Sequence, residues 1–320
     1  MADSGPDGET TPAGTGRYQS TRGLDYESVP WRLWEKSKKL FWDPADIDFT
    51  QDAADWQAMT DAERARVALP ARGFLVGEEA VTLDIVPLMS CMSGLGRLED
   101  TMYLSMFTME EAKHTEMFRR WFDAVGLDPS SLDDLIPAGR QRRTGVFDGP
   151  LERVMRRLDT DRSPQAILDA SIIYNQFVEG VLAIAGYQRW EQTFQALGDK
   201  LPGLRAGLKL TQRDERRHIA YGTYLARRIL AENPELWEWL KQRWAKLTAG
   251  LGGGYGSEDP DELSPEDRAA AAELAELAEL HQRLASRRLE ALGVARTMNT
   301  AQVDSAAIES FEPAELQHVN

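Results

Sequence analysis

The sequence predicts an all-α fold: a four-helix bundle with additional helices at its N- and C-terminal ends. Apolar residues recur every three or four positions along four long stretches, which is the period of an amphipathic helix. No strand-like alternation of useful length competes with this pattern. Short turns join the first two stretches and the last two, whereas the middle connection is long, so we expect two antiparallel helix pairs.

The first helix pair occupies residues from about 60 to 124. A capping box at Thr60, with Glu63 three positions later, begins the first helix. Its apolar period continues to about Ser93, and Pro70 and Pro87 predict a break or kink near each proline. The second helix spans about 97–124 and ends at a glycine followed by a proline.

The second helix pair follows a long connection, 126–149, which reads as loop. A short helix near 150–159 precedes Ser163, the predicted N-cap of the third long helix, which runs to about Leu197. Pro202 opens the fourth helix, which ends near residue 233. Two antiparallel pairs joined by one long crossover give the ferritin-like topology, so we predict a ferritin-like four-helix bundle core.

Segments outside the bundle complete the predicted domain organisation. A Trp-containing arm precedes the bundle, a Trp-rich helix follows it, and a last helix from Ser264 carries an amphipathic Leu and Ala stripe, typical of docking or dimerisation. We expect a single ferritin-like helical domain over 17–297, with the metal-binding bundle at about 60–235. Residues 1–16 are predicted to be disordered and 298–320 to form a flexible tail.

Composition excludes several function classes. The 320-residue chain has a formal net charge of −15, which disfavours nucleic acid and anionic membranes as partners. The single cysteine, Cys91, excludes an intramolecular disulfide and fits a reducing cytosol. No secretory signal is evident, and no apolar run reaches the roughly 18 residues that a membrane span needs. We therefore expect a cytoplasmic protein without a membrane span.

Two Glu-x-x-His pairs predict a dinuclear metal site. Residues three apart share one face of a helix, so each pair offers an oxygen and a nitrogen to one metal ion. A further glutamate precedes each pair, by 33 residues in one case and 36 in the other, and falls on a separate helix. The ligand pattern is that of dinuclear carboxylate sites in four-helix bundles. The predicted metal ligands are Glu78, Glu111, His114, Glu179, Glu215 and His218.

The chemistry of these residue types supports the site. Glu179 is the only acid between Ala170 and Trp190, and a carboxylate on so apolar a helix is costly unless it is paired, protonated or metal-bound. Two divalent cations would offset four carboxylates, and carboxylate with imidazole suits iron and manganese. Such a pair predicts reductive activation of dioxygen. Asp214 could orient His114 by accepting its free ring N–H, although a surface acid is an equal interpretation.

Two predicted ligands have a neighbouring glutamate that could face the bundle interior instead. Glu79 competes with Glu78, which has the more apolar helical neighbours, and Glu110 competes with Glu111, which alone lies three before the histidine. Lys113 is predicted to face water or the bundle rim, as is Glu116. A third Glu-x-x-His pair, at 315–318, lies at the C-terminus on no long apolar helix and is interpreted as accidental, and the histidine at 281 as solvated.

The bundle resembles the ribonucleotide reductase small-subunit superfamily over roughly 60–235, and more narrowly its ligand-binding oxidase branch, whose members hold a manganese/iron cofactor. The match lies in the four ligand-bearing segments, one per helix: 77–81, 111–114, 174–179 and 214–218. The resemblance implies one Mn and one Fe, with di-iron as an alternative, because these ligand types do not separate the two strongly.

The resemblance also implies the roles of individual residues. Glu78, Glu111 and His114 would hold manganese; Glu179, Glu215 and His218 would hold iron; and Glu111 would bridge. In that branch a valine one turn after the first glutamate becomes joined by an ether bond to a tyrosine when the reduced metals react with oxygen. Here those positions are Val81 and Tyr174. A long-chain fatty acid would lie near the metals, and a homodimer is expected. The electron donor and the physiological substrate stay open.

Other functions compete with this interpretation. Many true ribonucleotide reductase small subunits carry a radical tyrosine four residues after the first histidine, where this chain has Phe118. They also need a tyrosine in the C-terminal tail, whereas the last tyrosine here is Tyr255. A soluble fatty-acyl desaturase, a ferritin-like ferroxidase and a lipid carrier with structural metals are further alternatives. The ordinary interpretation of Val81 and Tyr174 is that both fill the core.

Overall fold

The computed structural model describes residues 23–135, 146, 149–252 and 265–317, and no strand occurs within these ranges. The chain folds as α-helices with short 3₁₀ turns between them. The α-helices are α1 Val29–Lys39, α2 Thr50–Ala58, α3 Asp61–Asp84, α4 Val86–Gly94, α5 Leu98–Val125, α6 Pro150–Arg157, α7 Pro164–Ser171, α8 Ile184–Leu197, α9 Pro202–Glu232, α10 Leu236–Thr248, α11 Pro265–Gly293 and α12 Thr300–Asp304.

Four long helical rods form the bundle core: α3, α5, the continuous run from α7 through α8, and α9. The α3 helix packs along α5, and α9 packs along the third rod. The α1 and α2 helices cover one side of α5 and α9, and α11 covers the third rod. The predicted all-α fold with a ferritin-like core is confirmed.

The first rod begins and breaks for local reasons. The Thr60 hydroxyl accepts from the Glu63 backbone N–H, and the Glu63 side chain accepts from the Thr60 backbone N–H, so the capping box is complete. The helix runs through Pro70 without ending. It ends before Ile85, and Pro87 lies in the first turn of α4. A break was therefore correctly predicted at Pro87, whereas the helix is continuous through Pro70.

The middle of the third rod is π-helical over Ile172–Ala183, between α7 and α8. This wider winding is frequent at functional sites, and it carries both Tyr174 and Glu179. The rod lies very close to α9 here, because a Cβ on Gly222 would come within 2.1 Å of the Asn175 side chain. Glycine at 222 is what permits this approach of the two ligand-bearing rods.

The third rod is also the most apolar element of the described chain. Over 34 residues, Pro164–Leu197, it is long and apolar enough to cross a membrane by composition, so the predicted absence of such a run was wrong. However, 89% of its most apolar window is buried among the other helices. Burial of that extent is what the core helix of a bundle requires.

The C-terminal segment packs on the bundle, contrary to the predicted flexible tail over 298–320. Within the described part of that segment, the apolar side chains of Val303, Ile308, Phe311 and Leu316 are buried in the main hydrophobic cluster. Glu312 forms ion pairs with Lys36 of α1 and Arg216 of α9. Residues 1–16, which were predicted to be disordered, lie outside the described residues, as do positions 318–320.

The buried side chains form two apolar clusters, and a polar layer separates them along the bundle. On α5, Phe107 belongs to one cluster and Phe118 to the other. The same change occurs along α3 and α9. The buried Glu and His side chains of α5 lie between the two clusters, at the middle of the rods.

Candidate metal centre

The six predicted ligands lie together in the polar layer. They form two groups of four, and within each group one potential ligand atom per residue lies within 4.8 Å of every other. Glu111 and Glu215 belong to both groups. All six side chains are buried, with Glu111 and both histidines fully inaccessible. The groups are Glu78, Glu111, His114 and Glu215, and Glu111, Glu179, Glu215 and His218.

Each imidazole presents the same nitrogen to the centre. His114 Nδ1 lies 3.3 Å from Glu78 Oε2 and 3.5 Å from Glu111 Oε2. His218 Nδ1 lies 3.1 Å from Glu111 Oε1 and 3.7 Å from Glu215 Oε2. Both Nε2 atoms point outwards, which leaves each Nδ1 lone pair available to a cation.

The polar atoms of the centre fit metal ions. Four buried atoms that face it have no hydrogen-bond partner: Glu111 Oε2, Glu179 Oε1, Glu215 Oε2 and His218 Nδ1. Buried polar atoms are almost always satisfied in native proteins, so four orphans at one point need an explanation. Carboxylate oxygens and imidazole nitrogens are hard-to-borderline ligands that suit Mn²⁺ and Fe²⁺. The donor set therefore fits a pair of such ions.

The pKa shifts of the four glutamates also support a site for cations. Burial raises the pKa of Glu78 to about 8, and it raises the pKa of Glu179 well above its ordinary value. Burial, and then Glu111, raise the pKa of Glu215. For Glu111 burial acts upwards too, but His218 and His114 hold its pKa below the ordinary value. Four carboxylates in one dry space are thus costly to ionise unless cations offset them.

A crossed pair of carboxylates supports the two histidines. Asp214 on α9 lies 3.3 Å from Nε2 of His114 on α5, and Glu110 on α5 lies 2.9 Å from Nε2 of His218 on α9. Arg217, which is buried, donates to Glu110 and to Asp214 at 2.5 Å each. Each metal-facing imidazole is therefore fixed in orientation by an acid from the opposite helix.

Sequence reasoning missed Glu110 and Arg217. It placed Asp214 beside His114, but treated Glu110 only as a rival of Glu111. The signal was present, because an acid directly precedes the Glu of both Glu-x-x-His pairs. The prediction for Lys113 was wrong: its side chain is buried, and its ammonium lies 3.1 Å from Asp214 Oδ2.

Trp42 extends the polar network towards the surface. Its indole N–H donates to Asp214 Oδ2 at 2.7 Å, and its ring lies parallel to His114 at a centroid distance of 6.2 Å. The Lys113 ammonium lies over the Trp42 ring at 4.5 Å. For Asp214 burial acts to raise the pKa, but His114, Arg217 and Lys113 outweigh it and hold the pKa well below the usual range.

The other residues that the sequence singled out differ in burial: Tyr174 and Val81 are buried, whereas Glu79 and Glu116 are exposed. Tyr174 donates from its hydroxyl to Glu111 Oε1 at 3.2 Å, and both it and Val81 are buried in the same apolar cluster. Glu79 and Glu116 are exposed, so the inward register belongs to Glu78 and Glu111.

The third Glu-x-x-His pair, at 315–318, was interpreted as accidental, and its glutamate forms ion pairs with two arginines. Glu315 pairs with Arg287 at 2.7 Å and with Arg288 at 3.3 Å, and position 318 is not described. The histidine predicted to be solvated, His281, is half-buried, and burial lowers its pKa.

Comparison with known proteins assigns the family. The family model described as ribonucleotide reductase, small chain, matches residues 24–249. A solved R2-like ligand-binding oxidase from Sulfolobus acidocaldarius is 35% identical, covers 90% of this chain and 98% of its own, and superposes with a TM-score of 0.76. This chain belongs to the ribonucleotide reductase small-chain family, in its R2-like ligand-binding oxidase branch.

Two other R2-like ligand-binding oxidase structures carry metals at their cofactor sites. One variant with an anaerobically reconstituted Mn/Fe cofactor is 34% identical, covers 85% of this chain and 96% of its own, and has a TM-score of 0.74. A second, with a non-activated Mn/Mn cofactor, is 33% identical over 85% of this chain and 96% of its own, with a TM-score of 0.73. The predicted membership of the R2-like ligand-binding oxidase branch is confirmed.

Proposed function

We propose that this protein is an O₂-dependent oxidase with a heterodinuclear Mn/Fe carboxylate cofactor, acting in two-electron oxidation of C–H bonds. One observation carries the proposal: two four-residue ligand groups share Glu111 and Glu215, and four of their inward-facing polar atoms lack partners. The Mn/Fe cofactor of the related oxidases gives the identity of the metals. Di-iron is the alternative, since the donor atoms do not distinguish strongly between them.

The ligands divide between two positions. Glu78, Glu111 and His114 would hold manganese, and Glu179, Glu215 and His218 would hold iron, with Glu111 bridging. The geometry offers Glu215 as a second bridging carboxylate, because it belongs to both groups. The bound metals would supply electrons for the reduction of dioxygen. Asp214 and Glu110 keep the imidazoles in the tautomer whose Nδ1 is free for a metal.

The protein's own first substrate would be the pair Val81 and Tyr174. Tyr174 already donates its phenol proton to Glu111 Oε1, and Val81 is one turn beyond Glu78 on α3. Formation of the ether breaks one O–H bond of Tyr174 and one C–H bond of Val81 and joins the oxygen to the carbon. Two protons and two electrons leave the pair; with two further electrons from the metals and two further protons, they reduce dioxygen to water.

A long-chain fatty acid or related lipid is the proposed ligand near the metals. The name of the related proteins, ligand-binding oxidases, supports a bound ligand. The apolar clusters on both sides of the polar layer supply walls of suitable chemistry for an acyl chain. Mass spectrometry of lipids extracted from the purified protein identifies the ligand, and its absence from every preparation would contradict this part of the proposal.

We also propose a cytoplasmic homodimer. Exposed apolar side chains follow one another along α3 and the start of α4: Val76 is 42% exposed, Leu83 67% and Val86 46%. Met109 of α5 is 45% exposed as well. Several large apolar side chains exposed on two helices that pack together support a surface that a second copy covers. The domain over 17–297 would form the subunit, extended by the packed C-terminal segment.

A ribonucleotide reductase small subunit is the second candidate, favoured by the hydrogen-bonded route from Trp42 through Asp214 to His114. Phe118 argues against a reductase subunit, because this buried ring has no hydroxyl at the position where many reductase subunits carry a radical tyrosine. Intact-mass measurement separates the two candidates. After aerobic loading with Mn(II) and Fe(II), the oxidase loses two hydrogens, whereas Tyr174→Phe, which has no phenol oxygen to form the ether, does not.

The same preparation tests metal binding. Wild type should hold two metal ions per chain by elemental analysis, whereas Glu111→Ala and His218→Ala should bind far less. Glu116→Ala is the matched control, because Glu116 is exposed on the same helix and pairs with Arg120 at the surface. Full occupancy of both metals in Glu111→Ala would refute the ligand assignment, and an unchanged wild-type mass with both metals bound would favour the reductase.

A further inference from the structure

A row of aromatic rings links the metal centre to the surface on the side away from Trp42. Phe107 stacks on His218 at a centroid distance of 3.7 Å, and Tyr103 lies 6.0 Å from Phe107. Tyr221 follows at 5.1 Å from Tyr103, and Tyr224 at 6.4 Å from Tyr221. Since electron transfer rates fall steeply with distance, short steps between the three tyrosines allow transfer that one long step would not, and the Phe107 ring fills the gap between Tyr103 and His218.

The two outer tyrosines are placed at successive three-residue steps after His218 on α9. Tyr221 is fully buried and Tyr224 is 3% exposed. Tyr221 shares a helix face with the metal-facing His218, and Tyr224 shares a face with Tyr221, because residues three apart are neighbours on a helix. The row thus passes from the centre through Phe107 and Tyr103 of α5 and reaches the outside through Tyr221 and Tyr224 of α9.

Each of these phenols has a carboxylate within proton-transfer distance. Tyr221 donates to Asp100 Oδ1 at 3.0 Å, and Tyr224 donates to Asp304 Oδ1 at 3.1 Å. Both distances lie within the roughly 2.6–3.2 Å over which a positioned base accepts a proton. Burial raises the pKa of Asp100 despite the nearby Arg97, which favours its acting as a proton acceptor.

The outer end of the row opens into a surface cavity of about 780 Å³. That volume falls within the range of small-molecule sites, roughly 300–1,000 Å³. Tyr224 and Asp304 line it, together with Asp100 and the guanidinium groups of Arg97 and Arg228. Both proton-accepting carboxylates of the row therefore have contact with the cavity, and Asp304 is partly exposed there.

We propose that Tyr221 and Tyr224 relay single electrons from a small-molecule one-electron reductant in this cavity to the metal centre. The proposal rests on the proposed oxidase function, because oxidation of the metals by dioxygen creates the demand for electrons. Tyr103 and Phe107 bring the relay into contact with His218. The relay would reach the metal centre through His218, whereas the Trp42 network reaches it through His114.

Each relay step balances within the chain. Tyr221 loses one electron inwards and its phenol proton to Asp100, leaving a neutral tyrosyl radical and a protonated carboxyl group. Tyr224 then supplies one electron to Tyr221, the proton returns from Asp100, and Tyr224 passes its own proton to Asp304. The reductant finally gives one electron to Tyr224, whose proton returns from Asp304, and is itself oxidised by one electron. One electron has moved from reductant to oxidised centre, and both tyrosines are unchanged.

Flash photolysis without oxygen tests the electron path independently of oxidase activity, by driving it in reverse from reduced metals to an oxidant at the cavity. A photo-oxidant is attached to Ser305→Cys, an exposed position on the cavity wall, in protein loaded anaerobically with Mn(II) and Fe(II). The native Cys91 is fully buried and escapes labelling. A flash should give a transient tyrosyl radical and then oxidised metal, both followed by electron paramagnetic resonance.

Conservative variants decide the result. Tyr221→Phe and Tyr224→Phe keep the packed rings and each lose one phenol hydrogen bond, so metal content should stay unchanged and the unfolding temperature should fall only slightly, while photo-oxidation of the metals is lost. Tyr187→Phe is the matched control, because Tyr187 is also buried beside the bundle core but packs on Phe74 outside the row. A photo-oxidant at Ser130→Cys, beyond the far end of α5, should oxidise no metal.

Equal yields of oxidised metal in Tyr221→Phe, Tyr224→Phe and wild type would overturn the relay. Since the flash experiment uses no oxygen, its failure leaves the oxidase proposal standing if aerobic loading still removes two hydrogens. Conversely, a working relay in protein that never reacts with dioxygen would refute the oxidase and retain the electron path.

Discussion

Glu110 on α5 lies 2.9 Å from Nε2 of His218 on α9. Asp214, which occupies the equivalent position before the second Glu-x-x-His pair, lies 3.3 Å from Nε2 of His114. The two helices thus exchange supporting acids, so each metal position depends on both. A metal-facing histidine is fixed in tautomer and orientation by the group that accepts its other ring N–H.

Removing this support should weaken metal binding without removing a ligand. Glu110→Gln replaces the carboxyl acceptor of the His218 N–H by an amide, and we expect affinity for the metal that His218 would hold to fall about 10- to 100-fold. Competition with a chromophoric chelator measures it. Glu116→Gln, exposed on the same helix, should bind like wild type. Unchanged affinity in Glu110→Gln would show that the contact does not orient the ligand.

Arg217 should be a stability residue as well as a support for the site. Its fully buried guanidinium bonds both Glu110 and Asp214, so Arg217→Met removes the guanidinium from two buried carboxylates, of which Asp214 keeps the Lys113 ammonium. We expect a loss of about 3–5 kcal/mol in the free energy of unfolding, the usual result of breaking a buried ion pair on one side. Chemical denaturation measures it. Arg120→Met, which removes only an exposed pair with Glu116, should cost less than about 1 kcal/mol.

The sequence predicted the bundle and the spacing of its ligands because those signals are local. The capping box at Thr60 and the Glu-x-x-His spacing each lie within one helical turn. The predictions were wrong where a side chain's contacting residue is distant in the sequence. Lys113 was expected at the surface because its partner, Asp214, is 101 residues away. The C-terminal segment was expected to be flexible because its ion pair with Lys36 spans 276 residues.

The C-terminal segment should therefore be needed for stability. Phe311 is 1% exposed, lies edge-on to Tyr224 at 5.8 Å and packs under Arg227. We expect Phe311→Ala to reduce the free energy of unfolding by about 3–5 kcal/mol, as other buried Phe→Ala changes do. Glu309→Ala, exposed two residues earlier, is the control and should have almost no effect. Equal denaturation midpoints for the two variants would restore the flexible-tail interpretation.

Asp52 of α2 should anchor the start of α9. Its carboxylate accepts from the backbone N–H groups of Gly203 and Leu204 at 2.7 and 2.8 Å, and from the Trp121 indole at 3.1 Å. Because these donors are buried, Asp52→Ala leaves them unpaired and should cost about 2–4 kcal/mol.

Asp52→Asn keeps one oxygen and should lie between wild type and alanine. The neighbouring Gln51→Ala removes only an exposed contact and serves as the control. Thermal unfolding ranks the four proteins, and a midpoint for Asp52→Ala close to that of Gln51→Ala would contradict an anchoring role.

Metal loading should stabilise the fold, because the cations offset four carboxylates that the empty chain must keep apart or protonated. A ligand that binds only the folded state contributes about 2.7 kcal/mol at 100 times its dissociation constant. We expect the unfolding midpoint to rise on anaerobic loading with Mn(II) and Fe(II), and to fall again when a chelator strips the metals. Glu111→Ala should show no rise, since both ligand groups lose a member. An equal rise in wild type and Glu111→Ala would mean that the stabilising ions bind elsewhere.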